Sequence, residues 1–119
     1  MSTSELRVER DPALALVVRI FVGAVAERSG VPEDAHGDLR LAASELFSGA
    51  VEAGGGEPVT FRLFSYGDHL SLHAEGIRSL ADAEAADLPA GKGRFELIRA
   101  LFPEAEIGDD VRISVPTAG

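Results

Sequence analysis

Cysteine is missing from the 119 residues, which removes disulfides, thiolate metal sites and cysteine nucleophiles and fits a reducing compartment. Lysine occurs once, as Lys92, among eleven positive side chains, and the formal net charge is −9. Nucleic-acid phosphates are held by cationic faces, so direct nucleic-acid binding is not expected. A basic protein partner suits the charge better. No apolar run is long enough to span a bilayer, and the N-terminal MSTSELRVER is polar, unlike a signal peptide. The expectation is a cytoplasmic protein with no membrane partner. His36, His69 and His73 are scattered and read as exposed or half-exposed polar residues, so no metal site is expected.

What is present is enough for one core. A hydrophobic fraction of 45% over this length predicts a single domain covering residues 1–119. Leu6 and Val8 alternate with Glu5, Arg7 and Glu9 as in a half-buried strand. From Pro12 the spacing turns helical, with Leu14, Val17, Val18, Phe21 and Val25 on one stripe and Gly30 as the stop. Pro32 suits the start of a second helix, which turns Leu39, Ala42, Ala43, Leu46 and Ala50 inward and ends at Gly54-Gly55-Gly56. Residues 59–64 and 70–74, joined through Tyr66-Gly67-Asp68, read as a hairpin closed by Glu75-Gly76.

Residues 79–90 are rich in alanine and acid and predict a surface connection or short mobile helix. Gly91-Lys92-Gly93-Arg94 opens a further helix carrying Phe95, Ile98, Leu101 and Phe102, stopped by Pro103. Two strands follow, around 105–108 and 111–115. The order predicts an α+β fold, a two-layer α/β sandwich whose mixed, mostly antiparallel sheet is covered on one face by three helices.

Three groups of residues carry possible chemistry. Glu45 and Gly49 are four apart on the second helix, and so share a face. Strand alternation puts Ala74 on the same side as Leu70 and Leu72 and turns Glu75 to the other. Gly91 and Gly93 permit close backbone approach, and the helix beginning at Arg94 offers free amide groups that attract anions, beside the charge of Lys92. The spacing is not a P-loop, which would need glycine at Ala86 and serine or threonine at Gly93. Taken singly, Glu45 reads as a surface carboxylate and the glycine pair as an ordinary turn. Ser44 and Ser48 lie near Glu45 without a histidine to complete a triad. The acids at 82–87 and 104–110 read as solvated faces or as a docking surface for a basic partner.

Together, the segments AERSGVPEDA, DLRLAASELFSGAVEAG and GKGRFELIRALF resemble the GHKL ATPase superfamily, in particular its anti-sigma factors that are also serine-protein kinases. The resemblance covers nearly the whole chain and implies an ATP site built by Glu45, Gly49, Ala74, Gly76, Gly91, Lys92, Gly93 and Arg94. Within it Glu45 matches the acid that polarises the attacking hydroxyl or water. Gly49 replaces the asparagine that ligates magnesium, and Ala74 replaces the aspartate that holds the adenine amino group. The implied reading is an anti-sigma-factor-like regulator that binds a protein through a degenerate ATP site, with no cofactor expected and no catalysis. Its implied partner is a sigma factor, an anti-sigma antagonist or another GHKL protein, in a homo- or heterodimer. One alternative is an active Mg-ATP-dependent serine-protein kinase with Glu45 as catalytic base. Another is a small-molecule-binding module that reuses the pocket. Restoring both missing groups by Gly49→Asn and Ala74→Asp is expected, on this reading, to raise nucleotide affinity.

Overall fold

Five alternating segments make one sheet in the computed structural model, which describes residues 1–117. They are β1 (Ser2–Val8), β2 (Val59–Ser65), β3 (His69–Glu75), β4 (Glu106–Ile107) and β5 (Val111–Pro116), in the order β1-β2-β3-β5-β4. Every pairing is antiparallel, where a mixed sheet was expected. The connection from β1 to β2 explains part of the difference. It contains two antiparallel helices, which return the chain to the end of the sheet it left, so β2 must run back along β1.

Among the described residues four α-helices are formed, not three: α1 (Ala15–Arg28), α2 (Glu33–Ala53), α3 (Arg78–Ala85) and α4 (Arg94–Leu101), with a 3-10 turn at Pro12–Leu14 before α1. The extra one is α3, which falls almost wholly in the stretch 79–90 expected to be a surface connection or short mobile helix. It buries Leu80 and Ala83. Its few apolar residues suffice because Gly49 on α2 has no side chain, so Leu80 packs close against that helix.

A second difference concerns α1, whose buried positions are Val18, Val22 and Ala26, the i, i+4, i+8 row. Val17 is exposed, as are Leu16 and Ile20. This helix is apolar around most of its circumference, and periodicity alone does not choose its inner face. The sheet is easier to read. Val59, Phe61 and Leu63 of β2, Leu70, Leu72 and Ala74 of β3 and Val111, Ile113 and Val115 of β5 all turn to the helices. Each large aliphatic or aromatic side chain buried here contributes roughly 1.5–3 kcal/mol.

Arg10 fastens the end of this sandwich. Its side chain is only 7% exposed, and its guanidinium donates to the carbonyls of Ala50 at 2.7 Å, Glu57 at 2.8 Å and Gly76 at 2.6 Å. It also donates to the Gly54 carbonyl and to Ser79 Oγ. The end of α2, the end of β3 and the start of α3 are thereby held by one cation, which also satisfies carbonyls left over at the helix C-terminus. Among the described residues, no helix is long and apolar enough to cross a membrane.

Candidate functional site

The helical repeat of α2 puts Glu45, Gly49 and Glu52 along one side, at i, i+4 and i+7. Facing them is Arg94, the first residue of α4. Its Nη1 donates to Glu45 Oε2 at 2.7 Å and its Nη2 to Glu52 Oε2 at 2.7 Å. Nε donates to the Ala90 carbonyl at 2.6 Å. The guanidinium is thus fixed by two acids and its own turn. Arg94 is 18% exposed, against 32% for Glu45 and 51% for Glu52, so water screens each pair to on the order of 1 kcal/mol.

Gly49 makes this arrangement possible. A Cβ built at that position would stand 2.6 Å from Arg94 Cδ and 2.8 Å from Leu80 Cδ1. Leu80 is fully buried and Arg94 is tethered, so neither yields cheaply. Glycine in a helix interior costs about 1 kcal/mol relative to alanine. Here it admits the arginine stem and lets α3 approach. The position lacks an amide because another side chain occupies its space.

The glycines of the following turn have separate reasons. Gly91 is buried, and a Cβ on it would overlap the backbone of Glu84, so it sets how closely the turn packs on α3. Gly93 caps α4 in the left-handed region at φ 76°, which glycine adopts without strain. Lys92 is exposed beside it. One N-terminal amide of α4 is used within the turn: Arg94 N–H donates to the Gly91 carbonyl at 3.4 Å.

The remaining candidates lie in different surroundings. Ala74 has no exposed surface and sits in the core, opposite Phe61 and Val111 in the two ladders. A carboxylate there would be buried without a partner. Glu75 follows the regular register to the open face, where Arg62 Nη1 donates to it at 2.5 Å. Gly76, at φ 79°, gives its carbonyl to Arg10, and a Cβ on it would overlap the Pro58 carbonyl. The structure therefore brings Glu45, Gly49 and Arg94 together. It assigns Ala74 to the core and Gly76 to the Arg10 clamp.

No histidine joins the cluster. His73 packs against Phe64 with ring centroids 4.6 Å apart and planes tilted by 55°, and partial burial, helped by Arg112, pushes its pKa below the usual imidazole value. Two participants were missed in the sequence. Glu52 had a legible signal, its i+7 spacing from Glu45; Arg10 had none, because its partners are backbone carbonyls far along the chain.

The fit of magnesium and ATP can be judged from these residues. Magnesium requires an octahedron of oxygens, and position 49 supplies none. Glu45 is neutralised by a guanidinium that would repel a metal ion. Among the described residues, no group of three or more histidines, aspartates or glutamates is placed to hold a metal. The side chains do not fit the group that the resemblance implies. No protein-family model matches this sequence, and no curated protein matches it.

Proposed function

We propose that this chain is a regulatory protein-binding domain of the anti-sigma-factor-like kind, in which the nucleotide site is replaced by an internal ion cluster. The observation that carries the reading is Arg94, whose guanidinium lies between Glu45 and Glu52 over the gap left by Gly49. A kinase needs Glu45 available to a hydroxyl and oxygens available to magnesium. Both are spent on holding α4 against α2. The same packing disfavours a small-molecule module at this position, since Leu80 and the arginine stem take up the room beside Gly49.

What remains for function is surface, and the net charge of −9 favours encounter with a basic partner. The partner class is a sigma factor, an anti-sigma antagonist or another domain of this fold. The test is affinity capture from the source cell, followed by incubation of the captured complex with labelled Mg-ATP. The same protein should be captured with or without Mg-ATP, and equally by the Glu45→Gln variant. Magnesium-dependent transfer of label to a serine, abolished by Glu45→Gln, would contradict the proposal and favour the kinase.

A further inference from the structure

A groove of about 790 Å³ opens at the other end of α2, lined by Pro32, Ala35, Asp38, Phe102, Ala105 and Val115 among others. Its apolar floor comes from the end of α4, the turn after it and β5. The rim carries Asp34, Asp38 and Glu104, and no lysine, arginine or histidine lines the cavity. Among the described residues six acids elsewhere are matched by arginines, Glu45 and Glu52 by Arg94, Glu5 and Glu75 by Arg62, Glu57 by Arg10 and Glu106 by Arg112.

The helix end does not account for all three rim acids. Asp34 lies in the first turn of α2, where a carboxylate favours the positive helix terminus. Asp38 lies a turn further in, half-buried against the floor, beyond the reach of that effect. An apolar trough with uncompensated negative charge at its edge is complementary to a segment that presents one or two apolar anchors flanked by guanidinium or ammonium groups.

We infer that this groove is the docking site for a basic amphipathic segment of a partner protein. The occupant seats an aliphatic or aromatic side chain against Phe102, Ala105 and Val115 while its cations meet Asp34, Asp38 and Glu104. A second copy of this chain is a poor occupant, because each copy carries the same excess of acid. The site rests on the protein-binding reading, to which it adds a location and a partner chemistry. It lies at the opposite ends of α2 and α4 from the ion cluster and shares no residue with it.

The probe is a synthetic amphipathic peptide with leucine on one face and arginine on the other. Its control is the same peptide with glutamate for every arginine. Amide chemical-shift mapping on the full chain should show perturbation at 32–38, 101–105 and 114–116 with the basic peptide and none with the acidic one. The triple variant Asp34→Asn, Asp38→Asn, Glu104→Gln keeps shape while removing charge, and should bind about tenfold more weakly with a flatter salt dependence. Equal binding of both peptides, perturbations confined to other surfaces, or an unchanged affinity in the triple variant would overturn the docking site. None of these results touches the nucleotide question. Nucleotide binding would be seen with Mg-ATP in place of the peptide, so failure of this site and failure of the regulatory reading are told apart.

Discussion

Gly49→Asn is expected to destabilise the fold by about 2 kcal/mol, although it restores the residue that the family resemblance calls for. Two effects compete. Asparagine is a better helix residue than glycine by a few tenths of a kcal/mol. Against this, its Cβ would enter the space of Arg94 Cδ and Leu80 Cδ1, 2.6 and 2.8 Å away, and overpacking of this kind costs roughly 1–3 kcal/mol. Displacing the arginine also loosens its bonds to Glu45, Glu52 and the Ala90 carbonyl. Overpacking therefore wins. Combined with Arg94→Ala, the same substitution should cost less, since only the contact with Leu80 remains, leaving a coupling of about 1 kcal/mol in a double-mutant cycle. Urea denaturation with an unchanged m-value measures both quantities. A Gly49→Asn protein as stable as the wild type, or additive effects of the two changes, would show that Arg94 does not hold that space.

Arg10→Ala should have the larger effect. It removes the donor shared by the carbonyls of Ala50, Gly54, Glu57 and Gly76 and by Ser79 Oγ. Hydrogen bonds to a charged group are worth about 1.5–3 kcal/mol each, and part of this is recovered as water enters the gap. A net loss of about 3 kcal/mol follows, lowering Tm by about 10 °C or more for a chain of this size. Arg10→Lys should recover little of it, because an ammonium cannot reproduce a planar fork that reaches three chain segments. Thermal unfolding followed by circular dichroism reads the result. A fall of only a few degrees for Arg10→Ala would mean that the clamp closes a surface gap and does not hold the sandwich together.

The layered fold was legible in the sequence where periodicity was unambiguous. The alternation through Phe61, Leu63, Leu70, Leu72, Ile113 and Val115 chose the inner face of the sheet, and all six are buried. It was less legible for α1, which is apolar on several sides, and for α3, which packs through Leu80 and Ala83 with little else. The candidate site was legible as a set of positions, but the reason for its composition was not. Gly49 read as the loss of a ligand; its cause is a contact with Arg94, 45 residues later, that no local spacing could reveal. Ala74 likewise read as a missing acceptor. Its burial makes the combined substitution Gly49→Asn and Ala74→Asp a source of overpacking and an unpaired buried charge.

The proposed replacement of a nucleotide site by the Arg94 cluster is tested most directly by titrating Mg-ATP into the unmodified protein in a calorimeter, with ADP and magnesium alone as controls. The expected result is no saturable heat at micromolar protein concentration, and none with Arg94→Ala, since removing the arginine still leaves no magnesium ligand at Gly49 and no adenine acceptor at Ala74. A magnesium-dependent dissociation constant in the micromolar range for the wild-type chain would contradict it.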